Sequence, residues 1–267
     1  MHAYVINLAR SGDRRAYITA ELKKTGLDYE LVTAVDGNDL DLSDTSVVAP
    51  SFLERTASSS GSAGASLSHL SVYRKILDDG LDAALILEDD VKLPADLGSL
   101  ADAVGAQLTG AEVALLSVDS PDPCQLNRAE SAALPASRLL ALPLDVTQPR
   151  SAGAYIITRE ACERIVKAFP PIQALADSWW FFYREGMLDR VRCVAPLPVL
   201  KNPNFVSTIA FYSLGEGVRA RLVAPLVRGK IPGLHQLLAY RRERIFRQWG
   251  RAELTDEPFI EKPSRLG

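Results

Sequence analysis

Residues 83–87, Ala-Ala-Leu-Ile-Leu, are an unbroken apolar run that is closed at once by Glu88, Asp89 and Asp90. Such a run predicts a strand buried on both faces, in the interior of a parallel sheet. Tyr4–Leu8 has the same character and predicts a first strand. Behind it, Ser11 or Asp13 can cap a helix that runs to about Thr25 and is closed by Gly26. Tyr29–Val35 predicts the second strand, ending at Asp36-Gly37. A strand–helix–strand opening of this kind begins a nucleotide-binding α/β fold.

Further along, Leu67, Leu70 and Leu77 recur at helical spacing and predict a helix over 67–77. The segment before it, residues 55–66, is rich in Ser, Gly and Ala and predicts a mobile loop. A helix near 95–108 and strands at 112–118 and 154–158 follow, then a helix over 159–168 stopped by Pro170-Pro171. Residues 177–182 open another element, and 191–195 read as a late strand. Between 119 and 150 stand Pro121, Pro123, Pro135, Pro143 and Pro149, so irregular chain or short hairpins are expected there.

Composition narrows the class. The 267 residues can bury the core of one large α/β domain, and 47% apolar with 24% charged residues is an ordinary soluble balance. A net charge of −3 argues against general nucleic-acid binding. Cys124, Cys162 and Cys193 have no metal-type spacing, which favours a reducing compartment over a disulfide framework. The first residues do not read as a signal peptide and no apolar stretch is long enough to span a bilayer, so a cytoplasmic location is expected. One region breaks the pattern. Residues 218–251 hold nine Lys/Arg against the single acid Glu243, a local +8 in a chain of −3. That asymmetry suggests an anionic partner such as a membrane face, with a merely solvated basic helix as the alternative.

Carboxylates at the carboxyl end of an interior strand stand where open α/β sheets bind ligands. Continued strand alternation would put Glu88 and Asp90 on one side and Asp89 on the other. Three such charges need a cation or a ligand's donors, and oxygen ligands suit magnesium or manganese holding a diphosphate. A solvated acidic turn is the alternative. Arg10 and Arg14 follow the first strand, where guanidinium groups can pair with phosphate or stack on a base. Asp36 either accepts from ribose hydroxyls or shapes its Asp-Gly turn.

Five segments together resemble glycosyltransferase family 25, the bacterial lipopolysaccharide galactosyltransferases and their collagen-modifying relatives. They are 4–11 (Tyr-Val-Ile-Asn-Leu-Ala-Arg-Ser) with Arg14-Arg15, 34–37 (Ala-Val-Asp-Gly), 64–69 (Gly-Ala-Ser-Leu-Ser-His), 84–91 (Ala-Leu-Ile-Leu-Glu-Asp-Asp-Val) and 153–161 (Gly-Ala-Tyr-Ile-Ile-Thr-Arg-Glu-Ala). A weaker echo lies at Asp177 and at 198–209. The chain departs from the family at Ser62 and Ala65, where a Gly-Glu-Ile-Gly-Cys-like run is usual, so one carboxylate is missing.

The resemblance implies a single GT-A domain with a mixed sheet, taken as residues 1–215, and the charge pattern beyond it marks a basic, mainly helical extension over 216–267. The resemblance also implies an inverting, metal-dependent transfer of a hexose, most simply galactose, from a UDP-sugar to a glycan or lipid-linked glycan in lipopolysaccharide or surface-glycan assembly. The enzyme would then work at the inner face of the membrane, docked through 218–251. On the matched positions, Asp90 and Glu88 become the ligands of Mn2+ or Mg2+. Asn7, Arg10, Arg14, Asp36, His69, Glu88 and Asp89 become donor-binding residues, with a packing role as the alternative for His69. An inverting transfer needs one carboxylate to take the acceptor hydroxyl's proton. Asp177, just before Trp179-Trp180, is the first candidate and Asp119 the second. Two other classes stay open at this point: a non-catalytic nucleotide- or glycan-binding relative, and a glycoside hydrolase using a carboxylate pair.

Overall fold

A computed structural model describes residues 1–56, 59–120, 122–205 and 251–256, together with Tyr240 and Arg244. An eight-stranded mixed sheet forms the middle layer. Its strands, in chain order, are β1 (Ala3–Asn7), β2 (Tyr29–Thr33), β3 (Ala83–Glu88), β5 (Glu112–Leu115), β7 (Ala132–Leu134), β8 (Arg138–Ala141), β9 (Ala154–Thr158) and β10 (Arg190–Ala195). Across the sheet the order is β2-β1-β3-β9-β5-β10-β8-β7. Two short ribbons accompany it, β4 (Val91–Lys92) with β11 (Leu200–Lys201), and β6 (Cys124–Asn127) with β12 (Ala252–Thr255).

Alternation along the strands divides the core in two. Ala3, Val5, Leu85, Leu87, Ala154 and Ile156 pack with Ile18 and Leu22 of α1 (Gly12–Leu22) and Leu97, Leu100 and Val104 of α4 (Leu97–Gly105). Tyr4, Ile6, Ile86, Tyr155 and Ile157 face the other layer, built by α3 (Ser60–Asp78), α5 (Arg159–Ala168) and α6 (Trp179–Arg184). Both faces of β1, β3 and β9 are therefore apolar, which is why they read as continuous runs rather than alternating ones. A short helix, α2 (Pro50–Arg55), adds Phe52 to the second layer.

The strand at 154–158 and the helix at 159–168 lie where the sequence predicts them, with the Thr158 side chain accepting from the Ala161 N–H as an N-cap. The proline-rich stretch forms short strands, and the hairpin β7–β8 extends the main sheet through β10. Cys124, Cys162 and Cys193 are buried thiols.

Three expectations are corrected. β3 is parallel to β1 but antiparallel to β9, so its surroundings are mixed rather than parallel. Strand geometry stops at Glu88: Asp89 and Asp90 occupy a tight turn into β4, so alternation does not assign their directions. Residues 60–66 are not a loop but the first two turns of α3, capped by the Ser59 side chain, which accepts from the Ser62 N–H. Small residues serve close approach there. A Cβ on Gly64 would stand 2.8 Å from the Gly37 nitrogen and 2.8 Å from the Val35 oxygen, both backbone atoms. Ser62, Ala63, Gly64 and Ser66 are accordingly buried.

Among the described residues no helix is long and apolar enough to cross a membrane. The basic segment 218–251, expected to dock on an anionic face, lies outside the described residues except for Tyr240, Arg244 and Arg251. The described end of the expected extension, Ala252–Thr255, is a strand parallel to β6 with Ala252 and Leu254 packed on the core.

Candidate active site at the carboxyl end of the sheet

Asn7 ends β1, Glu88 ends β3, and the Glu88 N–H donates to the Gly153 carbonyl at 2.9 Å at the neighbouring start of β9. The acidic turn is thus fastened at the edge of the sheet. Asp89 is held by neighbours: its Oδ2 accepts from Asn7 Nδ2 at 2.7 Å and its Oδ1 from Arg14 Nη1 at 2.9 Å. Arg14 also lies 3.3 Å from Asp90 Oδ2, and its guanidinium stands over the Phe205 ring at 5.3 Å. From below, the Asn202 N–H donates to the Asp90 carbonyl at 2.7 Å, tying the β4–β11 ribbon to the turn.

Asp90 is the stressed member. Its Oδ1 is buried and has no hydrogen-bond partner among the described residues. Burial, then repulsion from Glu88, pushes its pKa up to about 6 against the attraction of Lys201 and Arg14. Burial likewise raises Asp89. Glu88 goes the other way: burial would raise it, but His69 facing it and the cations Lys201 and Arg14 hold it below the usual carboxylate range.

Two further acids join the cluster. Asp119, beyond β5, makes a 2.9 Å ion pair with Lys201 Nζ. Burial would lower Lys201, yet Glu88, Asp119 and Asp90 together raise it, so it is a fixed cation among acids. Asp177, in the loop before α6, is raised by burial and next by the charge of Glu88, with Lys201 and Arg150 opposing. Five carboxylates therefore share a field with Arg14, Lys201 and Arg150, a surplus of negative charge.

Does this donor set fit a divalent cation? The unpaired Asp90 oxygen and the uncompensated charge say that it does. Among the described residues no group of three or more His, Cys, Asp or Glu side chains converges as a cage. Magnesium-type ions commonly use one or two carboxylates plus substrate phosphate, and Glu88 with Asp90 supplies that many.

The remaining candidates fall in two places. His69, on α3, is 2% exposed, with Nδ1 2.7 Å from the Tyr155 hydroxyl and Nε2 3.8 Å from Glu88 Oε1. Arg10 and Asp36 form an ion pair with each other, and Asp36 also accepts from the Asn38 N–H at 3.0 Å to shape its turn. Asn7, expected at the donor, spends its amide on Asp89 and on the Ser11 carbonyl. Ser62, at the position of the family's missing acid, donates its hydroxyl to Ser59 Oγ at 3.0 Å. Sequence reasoning missed Lys201, Asn202, Phe205 and Tyr155. Tyr155 lay inside a matched segment but read only as strand, and Lys201 lay inside the weaker echo at 198–209 with nothing to single it out among 30 Lys/Arg residues.

Comparison with known proteins adds an independent finding. The family model described as glycosyltransferase family 25 (LPS biosynthesis protein) matches residues 1–180. Procollagen galactosyltransferase 1 of Danio rerio is 30% identical over 96 residues, 33% of this chain and 16% of that protein. Procollagen galactosyltransferase 2 of Mus musculus is 32% identical over 96 residues, 33% of this chain and 15% of that protein. A glycosyltransferase 25 family member of Aedes aegypti is 32% identical over 98 residues, 34% and 16% respectively. The matches thus cover about one sixth of these relatives' length. Among solved structures, a putative glucose-1-phosphate thymidylyltransferase from Bacillus anthracis aligns at TM-score 0.37 and 14% identity, over 74% of this chain and 69% of that one.

Proposed function

The chain belongs to glycosyltransferase family 25, and on that premise we propose that it transfers a hexose, galactose first, from a UDP-sugar to a hydroxyl of a glycan acceptor in surface-glycan assembly. The family description and the galactosyltransferase names of its relatives support the reaction class. The observation that carries the reading is the Glu88-Asp89-Asp90 turn, with its surplus charge and the unpaired Asp90 oxygen.

Glu88 and Asp90 would hold Mn2+ or Mg2+, which supplies Lewis-acid neutralisation of the charge that develops on the departing diphosphate. The chain's own residues do the rest. Asn7 and Arg14 fix Asp89, and through it the turn that carries Asp90 next to Glu88. Lys201, braced by Asp119, keeps a positive charge beside them that can also face a phosphate. Asp119 is engaged in that pair, which leaves Asp177 as the better base. In the transfer, the acceptor oxygen bonds to the anomeric carbon as the bond from that carbon to the phosphate oxygen breaks. The hydroxyl proton passes to the Asp177 carboxylate, and UDP carries away the electron pair. A raised affinity for protons suits that role.

The test is a panel of UDP-hexoses with glycan acceptors and manganese, read by UDP release and product mass. Transfer from at least one UDP-hexose is expected, and Asp177→Asn should lower kcat by about 10²–10⁴-fold with donor affinity retained. Manganese-dependent UDP binding without transfer to any acceptor would favour the non-catalytic binding relative. Glycan cleavage without nucleotide would favour a hydrolase.

A further inference from the structure

Beside Glu88 a line of buried polar groups runs between α3 and β9. The Tyr73 hydroxyl, on α3, lies 2.9 Å from the Tyr155 hydroxyl on β9. The Tyr155 hydroxyl lies 2.7 Å from His69 Nδ1, one turn of α3 before Tyr73. His69 Nε2 faces Glu88 Oε1 at 3.8 Å. Tyr73, Tyr155 and His69 are 1%, 0% and 2% exposed, so bulk water supplies no alternative partners.

Satisfaction of these groups fixes the direction of every proton. A carboxylate only accepts, so the His69 nitrogen that faces it should carry hydrogen. Neutral imidazole has one donor nitrogen, which makes Nδ1 the acceptor and the Tyr155 hydroxyl its donor. Tyr155 then accepts from Tyr73, and three donors in sequence point towards Glu88. Burial raises both tyrosines well above the ordinary phenol range, so both remain donors at neutral pH. The Tyr155 ring has little freedom to leave: it stacks along His69 at 5.7 Å between centroids and meets Trp179 edge-on at 4.8 Å. Trp179 is itself pinned, its indole N–H donating to the Ser151 carbonyl at 3.0 Å.

We infer that His69 is a positioning residue for Glu88, locked by Tyr155 and Tyr73 in the Nε2–H tautomer that aims a donor at this carboxylate. The consequence for donor binding rests on the reading of Glu88 given above; the tautomer does not. An imidazole bearing hydrogen on Nδ1 would present a lone pair to Glu88 and turn it away. The line thus converts packing between α3 and β9 into the orientation of one active-site acid.

The tautomer is readable without any donor. In 15N-histidine-labelled full-length protein at pH 8, the ring nitrogens of His69 are assigned by comparison with His2→Gln and His235→Gln variants. A neutral ring protonated on Nε2 is expected. Tyr155→Phe, which removes one oxygen and keeps the ring stack, should shift the Nδ1 resonance and mix the tautomers. It should also lower kcat or UDP affinity on the order of tenfold, as loss of a residue that orients a ligating group does. A ring protonated on Nδ1 in the parent protein, or doubly protonated there, overturns the inference. So do unchanged His69 resonances and unchanged turnover in Tyr155→Phe. The expected tautomer in a protein that binds no UDP-sugar would overturn the donor reading of Glu88 and, with it, the catalytic consequence, but not the lock itself.

Discussion

Asp90→Asn is expected to give a protein more stable than its parent that has lost divalent-cation-dependent affinity for UDP. Burial and the Glu88 charge raise the Asp90 pKa from 3.8 to about 6. Each unit corresponds to about 1.4 kcal/mol, so the ionised side chain costs the fold up to ~3 kcal/mol at neutral pH. Removing the charge also removes the 3.3 Å contact with Arg14, which keeps its shorter bond to Asp89. A net gain of about 1–2 kcal/mol, or several degrees in Tm, is therefore expected in chelator at pH 7.5. The sign reverses the familiar salt-bridge case. Because the folded-state pKa is the higher one, the cost is full above about pH 6 and fades as the pH falls towards 4. The gap between variant and parent should close over that window. Unfolding curves at pH 7.5 and 4.5 measure it, alongside UDP titration with manganese. A variant less stable than its parent at pH 7.5 would make Asp90 a structural ion-pair partner, and full UDP affinity would make the triplet a decorative turn.

Gly64→Ala should destabilise the protein by about 3 kcal/mol, although alanine in a helix interior is ordinarily worth up to ~1 kcal/mol more than glycine. The added methyl meets the backbone at Gly37 and Val35 at 2.8 Å, and neither the backbone following β2 nor the 3-10 turn can yield as a flexible side chain would. A chemical-denaturation midpoint decides it. An unchanged or higher stability would mean that α3 does not sit this tightly on the chain following β2.

That position marks where composition misleads. Ser-Gly-Ser-Ala-Gly-Ala-Ser lacks the large apolar residues that give a helix its visible period, and a mobile loop is the natural reading. Small side chains are also what two backbones need in order to touch, and only the partner, distant in sequence at Gly37, tells the two uses apart. Where the partner surface is ordinary, the pattern suffices: β9 and α5 follow from an apolar run and the Pro170-Pro171 stop.

The site was legible to the same degree. Glu88, Asp89 and Asp90 stood out because charge breaks an apolar run, and Asp177 because a carboxylate precedes two tryptophans. Local sequence did not show that Asp89 and Asp90 leave strand geometry, so that one arginine reaches both. Lys201 and Tyr155 act through partners far away in the chain, across β4–β11 and between α3 and β9, and no local period encodes such pairings.

UDP affinity with and without Mn2+, measured calorimetrically on the metal-free parent protein, tests the central claim most directly. If Glu88 and Asp90 share a cation with the diphosphate, binding should be weak or undetectable in chelator and strengthen by at least an order of magnitude with Mn2+. Equal UDP affinity in chelator and in manganese, or no binding in either, would contradict the account.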